Sequence, residues 1–157
     1  MATSNDLVYL GPEPINTQFL IDFTRDDGAG AIASFSGTTR NTFTVNGITK
    51  RVLRLDYESY PAMAHLHLTR LTQKARHLYP SLIRIAISHR TGTVPVSEES
   101  VVIVASSPHR RDALEAVGWM IDELKATVPI WKKEIYEDGS MWKENCECGH
   151  ARKTAVE

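Results

Sequence analysis

The spacing of apolar residues changes several times along the chain, and each change predicts an element. Phe19, Leu20 and Phe23 share one side of a short helix around Asn16 to Phe23, with Asn16 or Thr17 placed to cap it. Gly28 and Gly30 then turn the chain into a strand through Ala31 to Phe35. From Val52 to Tyr57 the alternation predicts a second strand, with Leu53, Leu55 and Tyr57 on one face. Asn46-Gly47 suits a hairpin turn between these two strands.

Helical spacing returns in the next segment. Met63, Leu68, Leu71, Ala75 and Leu78 recur between Pro61, near a helix start, and Pro80, beyond its end, which predicts a helix lying on a sheet. Ile83, Ile85 and Ile87 alternate with Arg84, Ala86 and Ser88, a strand with one wetter face. The run "VVIVAS" is more uniformly apolar and suits a central strand. Ser107 is then placed to cap a helix with Pro108 at its first position. Leu114, Val117, Ile121 and Leu124 form its buried stripe, and Pro129 ends it before an irregular tail. The order strand, strand, helix, strand, strand, helix implies an α+β or mixed α/β fold with antiparallel pairing. No internal repeat or low-complexity linker asks for a second domain.

Composition narrows the function. The 157 residues are 42% hydrophobic and 24% charged, an ordinary globular balance with enough chain for one core. Eighteen Lys and Arg nearly match 19 Asp and Glu, for a net charge of -1. A general nucleic-acid binder would be more basic, so anion binding has to be local and no nucleic-acid partner is expected. The start lacks a signal peptide's basic and apolar segments, and no later run is long enough to span a bilayer. A cytoplasmic protein without a membrane partner is the expectation. Cys146 and Cys148 do not make a secreted-protein framework. With His150 they suggest zinc, but the spacing is imperfect and a fourth ligand is missing, so no metal is expected.

Several basic residues are candidates for chemistry. His109 and Arg110 lie just inside a helix start, where free backbone donors favour an anion, and Arg111 extends the patch. Pointing into solvent is the ordinary alternative. Lys125 sits near the other end of the same helix, roughly 21 to 24 Å away at 1.5 Å per residue. A site using both ends needs a second chain or a long ligand arrangement. Lys132 follows Trp131 in "PIWKKE", and an apolar wall there would lower its pKa and permit proton transfer. Each lysine alone also reads as a solvated surface group. Arg40 in "SGTTRN" can clamp a phosphate or carboxylate with its planar fork. His65 and His67 read as helix-face residues. No glycine-rich loop carries a nucleotide fingerprint, and no cofactor is expected.

Taken together, "GAIASFSGTTRN", "LDYESYPAMA", "ISHRTGTVPVSEESVVIVASSPHRRDALEA" and "IDELKATVPIWKKEIYEDGSMW" resemble, in order, the large catalytic subunit of molybdopterin synthase. The likeness covers roughly residues 5 to 145 as a single domain, with 146–157 a polar tail. It implies an α/β hammerhead-like core with an additional antiparallel β subdomain. It also implies sulfur transfer from the C-terminal thiocarboxylate of a small ubiquitin-like carrier, ending in Gly-Gly, to cyclic pyranopterin monophosphate. The product is the dithiolene of molybdopterin. Family members form the central dimer of a heterotetramer, and residues of the neighbouring chain help complete each site. Residue by residue, the likeness makes Lys125 and Lys132 catalytic. Arg40, His109 and Arg110 would hold anionic substrate groups, and Phe35 and Met63 would line or support the pocket. In the tail, the position of a cross-dimer arginine in some bacterial relatives falls on Cys146, with Lys143 or Arg152 as possible substitutes. A subunit that binds the carrier tail and assembles without catalysing is the alternative; a phosphate-ligand binding domain is a third reading.

Overall fold

The computed structural model describes residues 5–145, so the expectations placed on Cys146, Cys148, His150 and Arg152 lie outside the described residues. In chain order the elements are β1 (Asp6–Gly11), α1 (Thr17–Phe23), β2 (Ala31–Thr38), β3 (Thr42–Val45), β4 (Ile48–Ser59) and α2 (Pro61–Leu78). Then follow β5 (Arg84–Arg90), β6 (Gly92–Pro95), β7 (Glu99–Ser107), α3 (Arg110–Thr127), β8 (Ile130–Tyr136) and β9 (Met141–Asn145). The expected α+β class with an additional antiparallel part is present. The expected irregular tail is not: β8 and β9 are paired strands, and β1 and β3 are further strands that periodicity did not reveal.

One sheet has the order β1-β5-β7-β2, with β1 parallel to β5 and the other pairings antiparallel. Helices α2 and α3 seal one face, where Leu68, Leu71, Met120 and Leu124 meet Ile85, Ile87 and Ile103. On the opposite face Leu20 of α1 packs with Ala86, Val102 and Val104. The predicted wetter face of β5 is dry at Ala86 and Ser88, 0% and 3% exposed, while Arg84 at the strand's start keeps its side chain 31% exposed.

The second sheet runs β3-β4-β8-β9, with β6 also paired to β4. The Asn46-Gly47 turn joins β3 to β4, with Val45 opposite Ile48 and both turn residues at positive φ (50° and 77°). This is the backbone that Asn-Gly adopts most readily in a two-residue hairpin. It does not join β2 to β4, because β2 pairs with β7. In β4 the register with β8 shifts between Val52 and Arg54, leaving Leu53 as an inserted residue. The insertion breaks the predicted single face: Val52 and Leu55 are 6% and 9% exposed, and Leu53 is 48% exposed.

The helix ends are partly as the sequence predicts. Asn16 caps α1, its Oδ1 accepting from the Phe19 N–H at 3.0 Å, and Pro61 opens α2. Ser107 does not cap α3, because it still belongs to β7, where it pairs with Ala31, and its Oγ donates to the His109 carbonyl at 2.6 Å. His109 is the cap position and Pro108 precedes the helix. Leu114 is corrected from buried stripe to surface. Ala113 and Ala116 face the sheet instead, and small side chains let the helix approach closely. Met63 and Leu78 likewise point outward on α2, where Ala64, Leu68, Leu71 and Ala75 make the buried face.

Candidate functional site

A cavity of about 430 Å³ opens where the two sheets meet the C-terminal end of α3. Strand β2 contributes Phe35 and Gly37, and Arg40 follows just after it. Added at Gly37, a Cβ would lie 2.9 Å from Val101 Cγ1 and 3.2 Å from the Phe35 ring, so glycine keeps this wall thin. The Arg40 guanidinium stands over the Phe43 ring at 5.7 Å, a cation-π contact that leaves its N–H groups available to an anion.

From α3 come Ile121, Leu124 and Lys125. Ile121 and Leu124 are buried, and Lys125 occupies the last turn, where the carbonyl-rich helix end favours a cation. The Val128 N–H closes the helix on the Leu124 carbonyl at 3.0 Å, and the chain enters β8 at Ile130. Strand periodicity puts Ile130, Lys132, Glu134 and Tyr136 on one face of β8. The first three line the cavity.

Glu134 organises that face. Its side chain is 4% exposed; Oε1 lies 3.2 Å from Lys132 Nζ, and Oε2 accepts from the Tyr136 hydroxyl at 2.7 Å. A buried carboxylate held from both sides fixes the direction of the Lys132 ammonium, which is itself 26% exposed.

At the end of β5, His89 reaches the cavity from the first sheet and meets Tyr57 of β4 edge to face, with ring centroids 5.2 Å apart. Its Nδ1 is 2.7 Å from the Arg90 carbonyl oxygen. A carbonyl oxygen only accepts, so the proton sits on Nδ1 and Nε2 keeps its lone pair. Burial pushes the imidazole pKa down to about 4, against the smaller opposing effect of that backbone bond, and the ring is neutral near pH 7.

Of the residues predicted from sequence, Phe35, Arg40, Lys125 and Lys132 line this cavity. The two lysines come from different elements, α3 ending at Thr127 and β8 beginning at Ile130, and line the same cavity. His109 and Arg110 are exposed at the opposite end of α3, and Met63 is exposed on α2; none of the three lines the cavity. His89 and Glu134 are additional. The available signal for Glu134 was its position two residues after Lys132, on the same face of any strand. Three cations, one carboxylate, a neutral imidazole and aromatic walls suit a flat anionic ligand. Among the described residues, no group of three or more His, Cys, Asp or Glu is arranged to hold a metal ion, and no helix is long and apolar enough to cross a membrane.

Residues 10–127 match the family model described as MoaE protein. A molybdopterin synthase catalytic subunit from Oryza sativa subsp. indica is 53% identical over 127 residues, 81% of this chain, and this chain spans 63% of that relative's length. The Taeniopygia guttata molybdopterin synthase catalytic subunit is 45% identical over 91% of this chain and 90% of its own. The crystal structure of molybdopterin synthase from Staphylococcus aureus superposes with a TM-score of 0.79 at 34% identity, covering 90% of this chain and 98% of that one.

Proposed function

The chain belongs to the MoaE protein family, and from that premise we propose that it is a molybdopterin synthase catalytic subunit. It takes sulfur from the C-terminal thiocarboxylate of a small ubiquitin-like carrier ending in Gly-Gly. The acceptor is cyclic pyranopterin monophosphate, and two transfers form the dithiolene of molybdopterin.

The observation that carries this reading is the meeting of Lys125 and Lys132, with Arg40, around one cavity. Lys125 receives the carrier terminus; once its sulfur is bonded to the pterin as an acyl thioester, water cleaves the acyl–sulfur bond, and Lys125 stabilises the carboxylate released on the carrier. Lys132, aimed by Glu134, assists proton transfer at the pterin. Arg40 holds an anionic group of the substrate. A thiocarboxylate and a phosphate monoester are both anionic, so the same excess of cations attracts both.

His109 and Arg110 enter through a second copy of the chain. They lie at the far end of α3 from Lys125, and a dimer supplies them to the neighbouring site as further anion ligands. Phe35 walls the pocket, and Met63 supports it from outside the cavity. The complex is a heterotetramer with two large subunits at its centre, and it works in the cytoplasm.

The test mixes the purified chain with thiocarboxylated carrier and cyclic pyranopterin monophosphate and measures dithiolene pterin by mass spectrometry. Product is expected from the wild type. In K125A and K132A it falls by about a hundredfold or more, with folding and carrier binding retained. A wild-type complex that assembles and binds pterin without forming product returns the chain to a carrier-binding assembly role.

A further inference from the structure

This inference rests on the synthase reading and deepens it at one residue. His89 is 5% exposed, yet its ring borders the cavity. Its Nδ1–H is committed to the Arg90 carbonyl. Arg90 is itself held in place, its Nη1 2.5 Å from Glu98 Oε2 and its Nη2 donating to the Thr93 carbonyl at 3.2 Å. Turning the imidazole over would break a bond to an anchored partner. The Tyr57 edge contact also fixes the ring plane. Nε2 therefore presents a lone pair and no proton, and it has no hydrogen-bond partner among the described residues.

The cavity's cationic groups, Arg40, Lys125 and Lys132, are all donors. Donors suit the phosphate end of the proposed substrate and offer nothing to the N–H groups of its heterocycle. A neutral, aromatic-flanked acceptor has the complementary chemistry. The geometry points to His89 as a substrate-binding residue whose Nε2 accepts a hydrogen bond from a ring N–H of the pterin, orienting the heterocycle while the cations hold its anionic end.

Two measurements on the full chain with unmodified carrier test this assignment. The first titrates cyclic pyranopterin monophosphate into wild type, H89F and H89Q complexes by calorimetry. H89F keeps the ring and removes both nitrogens, and about tenfold weaker pterin binding is expected. H89Q restores a neutral acceptor and is expected to stay within about threefold of wild type. Carrier affinity is expected to be unchanged in both. The second follows the imidazole ¹⁵N resonances of wild-type His89, which needs no variant to fold. The Nε2 signal is expected to move on pterin addition while Nδ1 keeps its protonated character.

Unchanged pterin affinity in H89F, or a stationary Nε2 resonance in a wild type that binds pterin, overturns the assignment and leaves the synthase reading intact. Loss of carrier affinity in place of pterin affinity also overturns it, assigning the N–H donor to the carrier tail's backbone. If the wild type binds no pterin, the synthase reading fails and takes this inference with it.

Discussion

Strands β5 and β7 of the first sheet are enclosed on both faces, with Ile85, Ile87, Ile103 and Val104 all 0% exposed. Strands β4 and β8 of the second sheet carry charge pairs that are partly exposed: Arg54 with Asp56 at 3.2 Å and Lys133 with Glu58 at 3.3 Å. Exposed pairs of this kind contribute at most about 1 kcal/mol each, whereas burying one Ile side chain contributes about 1.5–3 kcal/mol. This contrast decides where charged chemistry can be accommodated. Ammonium groups would be costly inside the first sheet and cost little on the second, so the cavity lies where the packed layer supports the polar one.

The strongest test of that division is I103A. Truncating this enclosed side chain is expected to cost about 3–4 kcal/mol by urea unfolding, because α2, α3 and the sheet cannot collapse into the gap. A loss below about 1 kcal/mol would mean the first sheet does not carry the stability assigned to it.

A smaller effect arises where the first sheet meets the cavity. His89 has a folded pKa of about 4, depressed by burial, against about 6.5 when unfolded. Between these values the unfolded chain binds a proton that the folded chain does not, so stability falls as pH falls from about 6.5 toward 4. Above 6.5 the group contributes no pH dependence. The full loss is roughly 3 kcal/mol. It should appear as the difference between wild-type and H89Q unfolding curves measured across that range, which removes the common titration of the carboxylates. The charged groups lining the cavity around this ring are Arg40, Lys125, Lys132 and Glu134, and Tyr57 is its aromatic neighbour. Parallel curves for the two proteins would show that the imidazole is protonated as easily folded as unfolded.

The smallest effect separates charge from shape within the second sheet. E134Q keeps an acceptor for the Tyr136 hydroxyl and removes the negative charge beside Lys132. Product formation is expected to fall about tenfold, with pterin and carrier affinity retained. An unchanged rate would show that Lys132 is directed by its other surroundings.

Local signals identified part of this arrangement. Asn16, Pro61 and the Asn46-Gly47 turn carry their geometry in their own backbone preferences, and all three act locally as the sequence implies. What the turn connects was not legible, because strand partners are chosen by the whole core: β2 pairs across to β7, far along the chain. The segment from Ile130 to Tyr136 hid its strand because its polar Lys132 and Glu134 face a cavity and not solvent. Leu114 misled for the opposite reason, since hydrophobicity alone cannot show that the adjacent alanine is the residue facing the sheet. Motif resemblance singled out Lys125, Lys132 and Arg40, and all three line the cavity. His89 was not singled out, because its candidate role depends on burial and on which nitrogen the Arg90 carbonyl engages, and neither is written in residue type.

The inserted residue at Leu53 separates two halves of one strand. Upstream, β4 follows the hairpin with β3; downstream, its ladder sets Tyr57 opposite Lys132. The bulge works as a joint between two ladders, so that one strand serves the hairpin at one end and holds the cavity's lysine in register at the other.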